Sequence, residues 1–240
     1  SQGWMRLLHL VRAPGELRLT DAAAQDWADW VHTLVDSRQT ILPKRLQVPG
    51  PDAHQLQRIL GSAAAAPDHG QITPWRFVLV PSAQRARLGE VFVQALCERD
   101  SLATAEQQEQ AREKADRAPV LLLAVARLHG GDPEIDAAER LISLGCALQN
   151  ILLTAHAHGF GAALTSGKAM KSQALRDLFD IAATEQAICF VNIGTAQSRR
   201  AARIRPQPAD YVSELGPGGV GSAAGLPANL GPEPGQRCAP

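Results

Sequence analysis

Residues 137–161, AAERLISLGCALQNILLTAHAHGFG, decide how the rest of the chain is read. Leu141, Leu144, Leu148, Ile151, Leu152 and Ala155 recur at helical spacing, and Gly159-Phe160-Gly161 supplies a stop. This predicts a long central helix with those six side chains facing inward, and such a helix needs a sheet to cover. Two strongly apolar runs flank it, residues 120–126 before and 188–193 after, as expected of strands covered on both faces. Residues 77–80 make a third, shorter strand. The pattern predicts an α+β fold in which helices cover a central sheet of mixed direction, with a doubly wound arrangement left open by pattern alone.

Working outward, Asp52 is placed to cap a helix carrying Leu56, Ile59, Leu60 and Ala63, and Ser82 to cap a second with Leu88, Val91, Phe92, Ala95 and Leu96 on one stripe. A shorter helix with Leu175, Leu178 and Phe179 precedes the last strand. Residues 104–117 are almost wholly polar and read as a solvated helix or excursion with no chemistry assigned. Residues 1–33 form an N-terminal arm that Trp4, Trp27 and Trp30 equip to pack, 34–214 the main domain, and 215–240 a flexible tail rich in Gly, Pro, Ala and Ser. Ser1-Gln2-Gly3 is set aside from fold reasoning. The tail's Gly216-Pro217-Gly218-Gly219-Val220-Gly221 satisfies G-x-G-x-x-G, but fewer than about twenty residues follow where a dinucleotide-binding βαβ unit needs about thirty.

Hydrophobic residues at 45% against charged ones at 20% describe a globular chain and argue against disorder over most of its length. Twenty-four Lys plus Arg balance twenty-four Asp plus Glu, so no general attraction to a polyanion exists and nucleic acid is not expected as a partner. No apolar run approaches the roughly 18–20 residues of a membrane span, and no signal-peptide core precedes the domain; a cytoplasmic protein without a membrane partner is expected. Four widely spaced cysteines fit neither a zinc site nor a disulfide framework, and Cys97, Cys146 and Cys189 read as small core residues.

Several standard machines lack their parts. There is no G-x-x-x-x-G-K-[ST] loop, H-E-x-x-H helix, G-x-S-x-G elbow or paired CxxC. His156 and His158 point about 200° apart on a helix and make no metal face. The acidic residues Asp132, Glu134, Asp136 and Glu139 lead into a helix, where carboxylates favour the positive end of the dipole. What remains is phosphate-binding character. Arg38-Gln39-Thr40 offers a guanidinium, a hydroxyl and backbone N–H groups, and Arg199, Arg200, Arg203 and Arg205 follow the last strand.

Taken in order, several segments carry a resemblance. They are Ser37-Arg38-Gln39-Thr40, Ala66-Pro67-Asp68-His69 leading to Pro74-Trp75-Arg76-Phe77, Ala118-Pro119 opening a strand, and Gly145-Cys146-Ala147-Leu148-Gln149-Asn150. Gly159-Phe160-Gly161-Ala162-Ala163-Leu164-Thr165-Ser166-Gly167 and Asn192-Ile193-Gly194-Thr195-Ala196-Gln197 complete the set. Over about residues 34–212 the chain resembles the nitroreductase family of flavin enzymes, most closely its compact, minimal-length branch.

The resemblance implies an interlocked α+β homodimer that holds FMN at the subunit interface and uses NADH or NADPH. It implies that Arg38, Gln39 and Thr40 grip the phosphate and ribityl chain, that Arg203 or Arg205 is a second phosphate anchor, and that His69 reaches the flavin from the partner subunit. Gln71 falls in the segment facing the pyrimidine edge, and Leu164, Thr165, Ser166 and Gly167 fall where backbone passes along the ring. No side chain is assigned as catalytic and no metal is expected, because the flavin carries the chemistry in a ping-pong hydride transfer to a nitroaromatic, quinone or enone. The alternatives are a flavin store or sensor without turnover, and a non-flavin interaction module built on residues 199–205. This chain departs from the family where Gln71-Ile72-Thr73 stands in place of the usual Asn-x-Gln ahead of Pro-Trp.

Overall fold

The three apolar runs pair in one sheet. The computed structural model describes residues 21–198, 204–216 and 219–222. In chain order the first unit contains helix α1 (Asp21–Ser37), strand β1 (Leu46–Gln47), α2 (Ala53–Gly61), β2 (Trp75–Leu79), α3 (Ser82–Cys97), α4 (Ala105–Arg112) and β3 (Val120–Arg127). It continues with α5 (Ala137–Ala157), β4 (Gly161–Thr165), α6 (Gln173–Leu178) and β5 (Glu185–Ala196). β5 is the spine: β3 pairs with it from Val120↔Ile193 to Arg127↔Glu185, β4 from Gly161↔Gly194 to Thr165↔Phe190, and the short β1 with its last residues Thr195 and Ala196. β2 continues the sheet beyond β3. These ladders are all antiparallel, and parallel direction enters through a single bridge between Thr40 and Ala162.

The near-continuous apolar composition of β3 follows from its position. Successive side chains alternate faces, so Val120, Leu122, Ala124 and Ala126 enter a core with Leu144, Leu148 and Ile151 of α5 and Ile59 of α2. Leu121, Leu123 and Val125 enter a second core with Leu88 of α3, Leu175 of α6 and Phe190. The central helix starts where Asp136 accepts from the Glu139 N–H and stops before Gly159, whose φ of 86° suits glycine. Asp52 caps α2 in a reciprocal capping box with Gln55, as its sequence predicts.

Buried Arg85, at the start of α3, is the main fastening outside the sheet. Its Nε donates to the Val80 carbonyl at 2.8 Å, and its Nη1 to the carbonyls of Ala115 and Ala118 at 2.6 and 3.1 Å. Burial pulls its pKa down from the usual guanidinium value, but these carbonyls compensate the desolvated charge. The arrangement ties α3 to the chain that returns from α4 into β3.

Several expectations need correction. Ser82 is the first residue of α3, and Pro81 occupies the cap position without a side-chain bond. Leu141 is 40% exposed rather than inward, because the apolar stripe of α5 begins one turn later at Leu144. Cys97 and Cys146 are half-buried; only Cys189 lies in the core, where desolvation pushes its thiol up to about 11. Helix α1 extends through residue 33 to Ser37, and Trp27 and Trp30 on it are exposed at 41% and 61% instead of packed. Trp4 and Cys238 lie outside the described residues. β1 and β4 are strands beyond those the pattern predicts, β1 because it is only two residues long and β4 because it is short and rich in small residues.

The chain divides into two compact units, Ser1–Arg200 and Ala201–Pro240. Within the second, β6 (Ser213–Gly216) pairs antiparallel with β7 (Gly219–Ser222). Residues 223–240 lie outside the described residues.

Replacing Arg85 by Met leaves four carbonyls, those of Val80, Ala115, Ala118 and Pro119, without this donor and should lower unfolding stability by about 2–3 kcal/mol. The readout is a lower urea midpoint at unchanged slope. An unchanged midpoint means that the fastening is unimportant.

Candidate functional site

At the C-terminal end of β4 the sheet opens into a cavity of about 700 Å³. Thr165, Ser166 and Gly167 form one wall, continued by the short turn Lys168–Lys171. Gln107, Gln110, Ala111, Lys114 and Arg117 form the facing wall, from α4 and the turn that follows it. Leu121, Phe190 and Asn192 lie at the base; Phe92, Leu96 and Arg99 from the end of α3, with Leu42, Pro43 and Lys44, complete the enclosure. The volume falls within the roughly 300–1,000 Å³ of small-molecule sites.

The chemistry of the lining is one-sided. Lys44, Arg99, Lys114, Arg117 and Lys168 contribute five cationic side chains, and among the described residues no Asp, Glu, His or Cys lines the cavity. No cluster of three or more metal-ligating side chains occurs among the described residues either. Asn192 is 2% exposed, and its Nδ2 donates to the Thr165 Oγ1 at 3.1 Å, fixing the last residue of β4. A Cβ built on Gly167 meets no atom within 4 Å, so the turn borders open space.

The remaining site candidates fall elsewhere. Arg38 and Gln39 line a narrow crevice with Ile41, His156, Phe160 and Gly161 at the opposite end of β4. Thr40 bridges Ala162, and the Ile41 N–H donates to the Ala162 carbonyl at 3.0 Å, laying this segment along the strand. Crevice and cavity are thus joined by β4, whose four-residue step from Gly161 to Thr165 spans about 13 Å. Leu164 alternates to the other face, is 38% exposed, and does not line the cavity.

His69 and Gln71 bound a tight turn with positive φ at Gly70 (69°) and Gln71 (52°), and neither lines the cavity or the crevice. His69 Nδ1 lies 2.7 Å from Glu139 Oε2. Beside it, Asp68 Oδ2 accepts the Thr73 N–H at 2.7 Å, while its Oδ1 is buried with no hydrogen-bond partner among the described residues. Arg205 is exposed in the second unit; Arg199, Arg200 and Arg203 lie outside the described residues.

Sequence reading missed the facing wall. Residues 104–117 meet water over most of their length as expected, and Gln107, Gln110, Ala111, Lys114 and Arg117 also border the cavity while Ala115 packs into the core. The signal was present as Gln107, Gln110 and Lys114 at steps of three and four, one helical face. Asn192 stands in the motif set without a role assigned to it, and Lys44 carries no signal beyond its nearness to Arg38–Thr40.

Comparison with known proteins adds the following. Residues 37–195 match the model of the Nitroreductase family. A protein of Haemophilus influenzae named "Putative NAD(P)H nitroreductase" is 32% identical over 184 residues, covering 76% of this chain and 98% of its own length. A nitroreductase-like family protein from Bacillus cereus superposes with a TM-score of 0.67 at 15% identity, covering 76% of this chain and 94% of that one. The FMN-dependent nitroreductase NfnB from Mycobacterium smegmatis, solved in complex with NADPH, gives 0.61 at 16% identity, covering 78% and 98%. At these identities the two structures establish a shared fold.

The His69–Glu139 pair predicts a pH dependence. Its hydrogen bond, then its charge attraction, raises the His69 pKa above the ordinary value of about 6.5. A raised folded-state value means that the pair stabilises fully below the unfolded pKa, and that this contribution is lost as pH rises through the folded one. Proton NMR of the imidazole should therefore show a midpoint above that of free histidine, moving down in Glu139→Gln; identical midpoints in the two proteins refute the pairing.

Proposed function

The chain belongs to the nitroreductase family, and from that membership we propose that it is an FMN-dependent oxidoreductase carrying electrons from NADH or NADPH to an electron-poor small molecule. The observation that carries this reading is the cavity at the end of β4, with the Arg38–Gln39–Thr40 segment laid along the same strand. The residues present fit the cofactor. The crevice end offers the Arg38 guanidinium and the Thr40 hydroxyl to a phosphate, and the cavity end offers the open turn of Thr165, Ser166 and Gly167 to a planar ring.

Bound FMN would supply two-electron chemistry, taking reducing equivalents from the nicotinamide and passing them to a nitroaromatic, quinone or enone that follows it into the same space. The chain's own task is positional and electrostatic. Asn192 holds Thr165, and hence the edge of the turn, in place. Lys114 and Arg117 place positive charge where negative charge would develop on reduction. Phe92, Leu96 and Phe190 give the lining apolar surface against which a planar ring could pack. No side-chain acid or base is required, in keeping with a lining of amides, hydroxyls and cations.

The active form in this reading is a homodimer. Trp27, Trp30, Val31 and Val35 on α1 and Leu141 and Ile142 on α5 leave apolar side chains in water in a single copy. Among the described residues Asp68 Oδ1 lacks a partner too, and His69 and Gln71, which do not line the cavity of their own chain, would serve the site of a second copy. Arg205 or Arg203 is proposed as a second phosphate anchor. Among the described residues no helix is long and apolar enough to cross a membrane.

Purified protein should show an oxidised-flavin absorption spectrum that bleaches on anaerobic addition of NADPH and returns with a nitroaromatic or quinone. A colourless protein that takes up no FMN on reconstitution overturns the reading. Arg38→Ala should weaken FMN binding at least about tenfold, the scale of a charge-assisted phosphate contact, measured as flavin per chain after dialysis. Unchanged flavin content removes Arg38 from the site.

A further inference from the structure

The five cations of the cavity exceed what the proposed cofactor needs. Phosphate, in the reading above, sits at the Arg38 end of β4, about 13 Å from Thr165. The oxidised flavin ring is neutral and its reduced form carries about one negative charge near neutral pH, so five cations less one leave about four unbalanced. None of Lys44, Arg99, Lys114, Arg117 and Lys168 makes an ion pair among the described residues, whereas the arginines Arg76 and Arg112 elsewhere in the chain do. The nearby carboxylates Glu98, Asp100, Glu113 and Asp116 are not part of the lining. A chain with zero net charge has therefore gathered one sign of charge in one concavity.

Concave walls of low polarisability focus such a field and favour an anion at the centre over a neutral molecule of the same shape. The five side chains come from four separate parts of the fold: the segment before β1, the end of α3, the stretch from α4 to β3, and the turn after β4. Their convergence is a tertiary property of the cavity rather than a basic run in the chain. Arg99 is informative because the cofactor reading assigns it no role, and its guanidinium can take a carboxylate through paired N–H donors.

We propose that this cavity is selective for anionic occupants, and that the acceptors reduced here carry a carboxylate or comparable negative group recognised by Arg99 together with the lysines around it. The inference rests on the oxidoreductase reading for its chemistry but not for its binding. A phosphate of the nicotinamide co-substrate presents the same chemistry, so the two sources must be separated.

The test compares 4-nitrobenzoate with 4-nitrobenzamide, similar in shape and with the neutral amide at least as electron-poor. Calorimetric titration of the purified protein reads selectivity whether or not flavin is present. The carboxylate should bind about tenfold or more tightly at low salt, with the advantage shrinking severalfold at 0.5 M NaCl. In Arg99→Gln the benzoate-to-benzamide ratio, for binding and for kcat/KM, should fall about fivefold. Equal binding of the two compounds, or a ratio insensitive to salt and to Arg99→Gln, overturns the proposal. A fall confined to the NADPH-to-NADH preference, with the acceptor ratio unmoved, also overturns it by assigning the cations to the co-substrate. Absence of flavin with benzoate selectivity intact would sink the oxidoreductase reading and leave anion selectivity standing.

Discussion

Two facing glycines control how the site is assembled. Gly161 of β4 and Gly194 of β5 are register partners, and neither position has room for a Cβ. On Gly161 it would lie 2.9 Å from Ile41 and Leu46 side-chain carbons; on Gly194 it would lie 2.6 Å from Pro119 Cδ. Their bareness lets residues 41–46 and Pro119 settle on the sheet. The first contact holds the chain that follows Arg38 along β4 and delivers Leu42, Pro43 and Lys44 to the cavity. The second sets the point at which the α4 excursion, with Lys114 and Arg117, enters β3.

From that constraint the division of labour follows. β3 and β5 are apolar on both faces and provide stiffness, while their neighbours at the β4 end bring polar groups into a partly dry space. Arg85 acts from behind, tying α3 to the carbonyls of Ala115 and Ala118 so that the polar wall has a rigid anchor although it buries little more than alanines. A helix with so little apolar surface contributes little stability of its own, and its place depends on that fastening and on the two glycines.

The cavity shows a chain of balanced composition concentrating charge. Exposed salt bridges such as Arg112 with Glu90 neutralise cations elsewhere on the surface, at little gain in stability. Among the described residues the five lining cations have no such carboxylate partners. In this family reading, the electron-transfer chemistry belongs to the cofactor, and the protein's individuality lies in what its lining admits.

The sequence by itself determined the elements whose burial is complete. The long helix of residues 137–157, the runs that became β3 and β5, the Asp52 cap and the ordered motif set were legible because buried periodicity and cap chemistry are local. Leu141 was misjudged because one end of an apolar stripe reads the same whether covered or bare. Only the tertiary structure decided that Gly161-Ala-Ala-Leu-Thr165 is a strand, since its partners are nearly thirty residues on in β5, and that one face of the largely solvated stretch 104–117 also borders a cavity. Polar side chains carry no periodic energy that distinguishes a wet cavity wall from a solvated surface. What separates them is the shape made by distant segments meeting at one end of β4, and that shape is a property of packing.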